Sequence, residues 1–333
     1  MIVTKTPLRI SFFGGGSDLP SFYKKNKYGA IISSSINKYL YVTLKKQNSL
    51  FDEKYRLNYA TTELVNNINE IKNPIIKECF KFMNIDEHLY ISTIADAPAA
   101  TGLGSSSAFC VGLLNALYKY KNIPISKEEL AKRAADIEIN NLGLSLGKQD
   151  HYSATYGGLN FIKFYDNDTV EIKNINTKSK KFLEFQKNIL IFWTGVQRSA
   201  ETILKEQSIN NDDNTNGLKI LRRYAEEFYY TLTGQNNENF DINYFYKKFN
   251  KSWEIKKSFS KNITNSSIDK AYNLALKNGA LGGKICGAGG GGFLLLLADQ
   301  RFHNKISKEL TKLDYEKYNL NFSNEGSKVY EIE

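Results

Sequence analysis

Residues 98–109 read PAATGLGSSSAF, in which a proline and two glycines lead into three consecutive serines. The residues that follow place Val111, Leu114 and Leu117 at helical spacing, which predicts an amphipathic helix. The residues that precede, LYISTIA at 89–95, have the composition of a strand. The stretch of small residues therefore connects a strand to a helix.

A helix that begins with small residues can bind an anion. Its first backbone N–H groups lack partners, and the positive end of its dipole lies there. Gly102 and Gly104 permit a tight loop, while the hydroxyls of Ser105, Ser106 and Ser107 can bond phosphate oxygens or a magnesium ion. A serine that only caps the helix would explain one of them. The stretch predicts a phosphate-binding site.

Two other glycine-rich signatures do not apply to this chain. GxxxxGK[ST] is absent, which excludes a P-loop. GAGGGG at 287–292 satisfies GxGxxG, but the strand-like FLLLLA follows it where a dinucleotide-binding fold requires a helix. The sequence does not predict NAD binding.

The remaining segments predict an α+β fold. PLRISFF at 7–13 reads as a strand, and AIISSSINKYLYVTLKK at 30–46 as two more, with antiparallel character. SKEELAKRAADIEINNLG reads as a helix with Ser126 and Glu129 as a capping box. The polar segment SINNDDNTNG at 208–217 predicts a mobile loop. Strands, then helices, then strands favour α+β over a doubly wound sheet, with a division near residue 180.

Charge and cysteine content limit the partners and the compartment. Lys and Arg outnumber Asp and Glu by 45 to 35, but they are scattered, which fits an anionic small molecule and predicts no nucleic-acid partner. The three cysteines form no CxxC pair, and neither a signal segment nor a bilayer-length apolar run occurs. We expect a cytoplasmic protein with no membrane partner.

Three separated segments together resemble the GHMP kinases, the family of galactokinase, homoserine kinase, mevalonate kinase and phosphomevalonate kinase. PLRISFFGGGSDLP is similar to the first family motif, PAATGLGSSSA to the second and KICGAGGGGF to the third, in the same order. The resemblance implies a ribosomal protein S5 domain 2-like, ATP-binding domain over 1–180 and a ferredoxin-like α+β domain over 181–333. The substrate site would lie at their interface.

Further segments are similar to one branch of that family. GKQDHYSATYGGLNF, WTGVQRSAETIL and GALGGKICGAGGGGF resemble sugar-1-kinases that act on D-glycero-D-manno-heptose 7-phosphate, with L-fucose kinase domains as neighbours. The resemblance implies transfer from ATP to the anomeric hydroxyl, giving a 1,7-bisphosphate for surface polysaccharide synthesis. Another sugar-1-kinase and a non-catalytic sugar sensor are the alternatives. The expected partners are a small sugar phosphate and a second copy in a homodimer.

The resemblance also implies roles for named residues. Asp150 would accept or orient the proton of the attacking hydroxyl, and Arg9 would stabilise developing charge. Ser106 and Glu138 would be ligands of Mg²⁺, although spacing alone leaves Glu138 on a solvated helix face. The residues expected to hold ATP are Pro98, Gly102, Leu103, Gly104, Ser105, Ser106 and Ser107.

Glycine loops and a carboxylate are expected to contact the acceptor. Gly15 and Gly16 let a sugar approach the backbone, and Asp18 can accept from two sugar hydroxyls, or else form an Asx-turn. Gly289 and Gly290 would form a second loop of close approach beside the substrate.

A cation is expected for the acceptor phosphate. Arg198, in TGVQRSAE, can grip a phosphate through two parallel hydrogen bonds, which Lys256 and Lys257 could supplement as point charges. A surface pair between Arg198 and Glu201 is the alternative.

Overall fold

Two β-sheets organise the chain, in a computed structural model that describes residues 1–48, 50–198, 203, 205–206, 211–235 and 242–333. The larger sheet runs in the order β12-β1-β2-β5-β3-β4, with β6 and β7 attached to β2, and the smaller runs β11-β8-β10-β9. The strands are β1 (Ile2–Phe13), β2 (Tyr28–Lys46), β3 (Tyr55–Asn58), β4 (Thr62–Val65), β5 (Leu89–Ala95), β6 (Leu159–Tyr165), β7 (Val170–Ile175), β8 (Ile189–Trp193), β9 (Ala280–Ile285), β10 (Phe293–Ala298), β11 (Glu316–Lys317) and β12 (Lys328–Glu331).

The segment expected to form two strands is one continuous strand, β2. One edge of β2 pairs with β1 along its length. The other edge pairs first with β6, through Tyr28–Ser34, and then with β5, through Leu40–Lys46. The ladder with β1 shifts register between Pro7 and Arg9 and again between Ser11 and Phe13, but β1 pairs with both stretches of β2 and so keeps them in line. The described strand pairs are antiparallel apart from β3 with β5, which confirms the antiparallel prediction.

The helices cover both sheets. Within the described residues they are α1 (Pro20–Tyr23), α2 (Pro74–Phe82), α3 (Ser105–Tyr120), α4 (Lys127–Asp136), α5 (Gln149–Tyr156), α6 (Lys180–Lys187), α7 (Asn211–Thr233), α8 (Ile242–Lys257), α9 (Ser266–Lys277) and α10 (Gln300–Thr311). A 3-10 turn at Ile68–Glu70 and a π-helical turn at Ile137–Asn141 complete them. No described helix is long and apolar enough to cross a membrane.

The N-terminus of α4 is capped, but only half of the expected capping box forms. The Ser126 hydroxyl accepts from the Glu129 amide at 3.1 Å. The Glu129 carboxylate pairs with Arg133 one turn on, at 2.7 Å, instead of returning to the cap.

The expectation of a loop over 208–217 is wrong for its second part. Residues 208–210 lie outside the described residues, but 211–217 form the first turns of α7. A Cβ on Gly217 would lie 2.6 Å from the ring of Phe259, so this backbone packs directly on a buried ring. Tertiary packing of that kind stabilises a polar helical turn that has little propensity of its own.

Aromatic side chains join β1 to helices of the second half of the chain. The rings of Phe12 and Phe185 lie 5.3 Å apart, and that of Phe13 lies 5.2 Å from Phe228 and 5.3 Å from Phe249. These residues belong to one buried cluster that includes much of the large sheet. The end of β1, which carries the first glycine motif, is therefore held from both halves.

Candidate active site

A cavity of about 870 Å³ opens where the three glycine motifs meet. Its walls come from the end of β1, the loop before α3, the start of α5, the end of α8 and the loop after β9. Most of the residues expected in the site line it: Arg9, Gly15, Gly16, Asp18, Pro98, Gly102, Gly104, Ser105, Ser106, Ser107 and Asp150. Motifs that are far apart in sequence thus share one enclosed space.

The two glycines before α3 are needed for close contacts. Gly104 caps the helix with φ of +78°, and a Cβ there would lie 3.2 Å from Nε of Arg9. Gly102 has φ of +81°, and its Cβ would lie 2.4 Å from the carbonyl oxygen of Cys286. A left-handed conformation and these contacts both favour glycine. The loop therefore presents the N-terminus of α3 to the cavity while contacting Arg9 and the third motif.

Arg9 and Asp150 form a two-armed ion pair in the cavity wall. Nε of Arg9 donates to Oδ1 of Asp150 at 2.6 Å, and Nη2 donates to Oδ2. The third nitrogen, Nη1, donates to the Gly102 carbonyl at 2.5 Å. Burial opposes the charge on Arg9, but Asp150 outweighs it, so the pKa of Arg9 rises. The guanidinium thus links the start of α5 to the loop before α3, residues 98–104, which we call the phosphate loop after the ligand predicted for it.

Asp18 is buried and held by the backbone. Its Oδ1 accepts from the Gly16 amide at 2.9 Å and its Oδ2 from the Gln149 amide at 3.3 Å. Burial first, and then the charge of Asp150, raise the pKa of Asp18 above its usual value. The carboxylate fastens the first glycine loop to α5, and each oxygen keeps a second lone pair for a ligand.

Glu138 lies beneath the start of α3, within the π-helical turn, and not on a solvated face. It is fully buried; Oε1 accepts from the Ser106 hydroxyl at 2.5 Å and Oε2 lies 2.7 Å from Nε2 of the buried His151. Burial raises the pKa of Glu138, but the hydrogen bonds of His151 and Ser106 outweigh burial, so its pKa lies below the usual value. An ionised carboxylate beside a hydroxyl is a donor set that fits Mg²⁺.

Five expected site residues do not line the cavity: Glu138, which lies beneath the start of α3, and Leu103, Gly289, Gly290 and Arg198. Leu103 is buried, and its carbonyl accepts from the Arg9 amide at 3.0 Å. A Cβ on Gly289 would lie 2.7 Å from the carbonyl of Ile263, and one on Gly290 would lie 2.8 Å from that of Asn262. Both glycines therefore pack on neighbouring backbone.

Arg198, the fifth of them, is exposed beside the phosphate loop. Its amide donates to the Ala100 carbonyl at 3.1 Å. Glu201, its alternative partner, lies outside the described residues. Lys257 pairs with Glu254 at 2.9 Å and does not line the cavity.

Several lining residues were not assigned to the site from the sequence, except that Lys256 was expected to supplement Arg198 as a point charge. Lys284 and Ser11 line the cavity, Lys256 joins them from α8, and Ser11 lies beside Gly15. Burial lowers the pKa of both lysines, and both lie close enough to Arg9 for its charge to lower that pKa further. Apolar side chains line the other end: Leu40, Tyr59, Ile75, Ala95, Ala97 and Phe109. Ser11 lies within PLRISFFGGGSDLP and Lys284 begins KICGAGGGGF, and that position in a motif was the only signal available.

Comparison with known proteins agrees with this geometry. Residues 59–158 match the GHMP kinases N terminal domain, and residues 236–314 match the GHMP kinases C terminal domain. D-glycero-alpha-D-manno-heptose 7-phosphate kinase of Campylobacter jejuni is 30% identical over 345 residues, which cover 99% of each chain.

Solved structures share the fold. A D-glycero-D-manno-heptose 1-phosphate kinase from Bacteroides thetaiotaomicron aligns with a TM-score of 0.80 at 23% identity, over 100% of both chains. The mevalonate kinase of Methanococcus jannaschii aligns with a TM-score of 0.68 at 24% identity, over 97% of this chain and 98% of that one. The predicted α+β GHMP fold, the enzyme class and the use of a nucleotide are confirmed. Two matching domains and a full-length relative at this identity show that the protein belongs to the GHMP kinase family.

Proposed function

We propose that this kinase transfers the γ-phosphoryl group of ATP to the anomeric hydroxyl of D-glycero-D-manno-heptose 7-phosphate, giving the 1,7-bisphosphate. The observation that carries the proposal is the position of the Arg9–Asp150 pair, which lies in one cavity with the phosphate loop and Asp18. The full-length relative from Campylobacter jejuni, a heptose 7-phosphate kinase by name, supports this acceptor.

The nucleotide is proposed to lie along the cavity. Its base would occupy the apolar end among Tyr59, Ile75 and Phe109, and its phosphates would face the N-terminus of α3. The serine hydroxyls and the first backbone N–H groups of α3 would donate to phosphate oxygens.

The reacting oxygens are proposed to meet at Asp150. The acceptor oxygen attacks the γ-phosphorus, its proton passes to a carboxylate oxygen of Asp150, and the bond from the γ-phosphorus to the bridging oxygen breaks to release ADP. Arg9, bound to Asp150, would stabilise charge between the acceptor oxygen and the phosphoryl group. Asp18 would accept hydrogen bonds from other hydroxyl groups of the sugar and so hold it in place.

Ser106 and Glu138 are proposed to hold Mg²⁺. The ion would neutralise charge on the bridging and terminal phosphate oxygens. Their oxygens lie 2.5 Å apart, and the neighbouring His151 favours the ionised carboxylate that the ion requires. Ser106→Ala and Glu138→Gln should therefore each raise the magnesium concentration needed for half-maximal rate. Unchanged magnesium titrations for both variants would contradict this assignment.

Kinetics over a panel of acceptors tests the function. The panel contains heptose 7-phosphate, the unphosphorylated heptose, L-fucose, galactose and mevalonate, each with ATP and magnesium, and the product is identified by mass spectrometry. We expect the highest kcat/KM with heptose 7-phosphate. A preference for L-fucose would support the alternative sugar-1-kinase, and binding without turnover of any acceptor would support a sensor.

Asp150, Arg9 and Glu138 are all present in one site, and that favours catalysis over sensing. The homodimer, the cytoplasmic location and the division at residue 180 stay predictions.

A further inference from the structure

Two lysines line the acceptor end of the cavity without a carboxylate partner. Lys284, on β9, is 7% exposed, and its ammonium donates to the Phe12 carbonyl at 3.0 Å. Lys256, near the end of α8, donates to the Gly287 carbonyl. Over the described parts of the chain, neither ammonium lies within ion-pair distance of a carboxylate. We call Lys256 and Lys284 the acceptor-side lysines.

Two enclosed positive charges with only carbonyl partners are unfavourable for the free protein. Burial lowers the pKa of Lys284 to about 8. Burial, reinforced by the charge of Lys284, lowers the pKa of Lys256 to about 7. A buried charge needs a partner of opposite sign, and an anion between these ammonium groups would stabilise both in their charged form.

A buried hydroxyl faces the same space. Ser11, on β1, is 6% exposed and lines the cavity, and its Oγ has no hydrogen-bond partner among the described residues. A Cβ on Gly15 would lie 3.8 Å from this oxygen, so the first glycine loop passes next to it. Since buried polar atoms rarely lack a partner, the hydroxyl indicates a ligand at this position.

The charges at this end of the cavity do not balance. The charge of Arg9 is compensated by Asp150 through two hydrogen bonds. Asp18 is the other carboxylate here, and a single carboxylate cannot balance the two ammonium groups. The acceptor-side lysines therefore give this end of the cavity an excess of positive charge. A neutral sugar would leave that charge uncompensated.

Arg198, which the sequence suggested for the acceptor phosphate, does not lie with the acceptor-side lysines. It is exposed, it does not line the cavity, and its amide is bonded to Ala100 of the phosphate loop. The acceptor-side lysines come from α8 and β9 and lie with Ser11 and Asp18.

From this placement, we infer that Lys256, Lys284 and Ser11 form the binding site for the phosphate group of the acceptor, and that they select phosphorylated acceptors over neutral sugars. The inference rests on the proposed sugar phosphate kinase function. It assigns the selectivity for phosphorylated acceptors to the part of the cavity wall formed by α8, β9 and β1.

The test compares two acceptors in four variants. Lys256→Met, Lys284→Met and Ser11→Ala are assayed with heptose 7-phosphate and with the unphosphorylated heptose. Lys257→Met is the control, because Lys257 adjoins Lys256 on the same helix but pairs with Glu254. Each lysine variant should raise the KM for the sugar phosphate about 10- to 100-fold, as expected for loss of one charged hydrogen bond. The kcat/KM for the unphosphorylated heptose and the KM for ATP should change less than about 3-fold.

Inorganic phosphate provides a second readout that does not depend on turnover. Calorimetric titration of the wild-type protein with phosphate, in the presence of ADP, should show binding that Lys256→Met and Lys284→Met weaken and Lys257→Met does not. Ser11→Ala keeps the test valid if a lysine variant fails to fold, because it removes a single oxygen.

Distinct results would overturn the inference. Equal losses with both acceptors would mean that the lysines act on the transferred phosphoryl group, and a raised KM for ATP would place them on the nucleotide. Selective loss in Arg198→Ala alone would move the phosphate site to the phosphate loop. A wild-type preference for sugar phosphate that persists in the lysine variants contradicts this inference only, whereas a wild-type enzyme that rejects sugar phosphates contradicts the proposed function.

Discussion

At the scale of single residues, the Asp150 carboxylate has two proposed tasks, pairing with Arg9 and accepting the proton of the acceptor hydroxyl, which use different oxygen lone pairs. Both oxygens accept from Arg9, in the plane of the guanidinium, and each keeps a further lone pair. The ion pair fixes the carboxylate in the cavity wall, so an acceptor hydroxyl would meet an oxygen whose position is already set.

Asp150→Asn should lower kcat about 10²- to 10⁴-fold, because an amide cannot take the proton of the acceptor hydroxyl. The KM for ATP should change little, since Asp150 lies on the acceptor side. Steady-state kinetics measure both values. Asp168→Asn is the control: Asp168 also pairs with cations, Lys24 at 2.9 Å and Lys148 at 2.8 Å, but does not line the cavity. Parental turnover in Asp150→Asn would show that another group handles the proton.

Lys284→Met should change how stability depends on pH. Burial lowers the pKa of Lys284 to about 8, below the 10.5 of the ordinary side chain. Between these values the unfolded chain binds more protons, so the charged lysine destabilises the fold below pH 8 and less so as the pH rises. From pH 7 to pH 10 the wild type should therefore gain about 2 kcal/mol of unfolding free energy relative to Lys284→Met. Denaturant unfolding at both pH values measures this.

The same measurement on Lys257→Met provides the reference, since that ammonium is paired with Glu254 and lies partly in solvent. If the difference between wild type and Lys284→Met is constant with pH, then Lys284 is not a buried cation in solution.

At the scale of elements, the loop before α3 and the loop after β9 touch through glycines. A Cβ on Gly287 would lie 2.5 Å from Cα of Gly102, and a Cβ on Gly102 would lie 2.4 Å from the Cys286 carbonyl. This contact aligns the phosphate loop with the third motif, so the loop's position depends on both halves of the chain.

Gly287→Ala should destabilise the protein and reduce its activity. Gly143→Ala is the matched control, because Gly143 has φ of +67°, close to the +66° of Gly287, and nothing within 4 Å of its Cβ position. The control should lose only the cost of the left-handed conformation, about 1–2 kcal/mol. Gly287→Ala should lose about 1–3 kcal/mol more, because the methyl group overpacks the loop contact. Denaturant unfolding and kcat/KM are measured, and equal effects of the two changes would contradict the role of this contact.

The expected and observed elements differ where local pattern and tertiary packing conflict. LYISTIA matches β5 at both ends, and a strand does follow GAGGGG, as expected. The polar start of α7 shows no apolar periodicity, yet it is helical because Gly217 packs on Phe259. Hydrophobic periodicity and helix propensity depend on residues that are close in sequence. They cannot predict a contact with a ring that lies 42 positions away.

At the scale of the whole molecule, the last strand of the chain pairs with the first. β12 pairs with β1 in antiparallel register, from Ile2 with Glu331 to Lys5 with Lys328. A Cβ on Gly326, just before β12, would lie 2.0 Å from the Thr155 carbonyl on α5. The last segment therefore packs on the helix that carries Asp150 and on the strand that carries Arg9.

A fragment of residues 1–180 should not fold alone. It would lack β12, and it would expose Phe12 and Phe13, whose partners include Phe185 and Phe228 from the second half. Loss of that burial is worth several kcal/mol, comparable to the whole stability of a domain. Calorimetry and size-exclusion chromatography of the fragment, beside the intact chain, measure this. A monomeric fragment with a cooperative unfolding transition would contradict the prediction and support independent domains.

The sequence by itself determined the small-residue loop between β5 and α3, the three glycine motifs and the α+β class, because each depends on residues that are contiguous or regularly spaced. Only the tertiary structure decided which side chains meet, Arg9 with Asp150 across 141 positions and Glu138 with His151, and which ones share a cavity, such as Lys284 and Ser11. It also placed Arg198 outside the cavity. The chemistry of a motif depends on residues that are close in sequence. Burial, ion pairing and the balance of charge in a cavity arise only when distant segments pack together, and the periodicity of the sequence does not predict that packing.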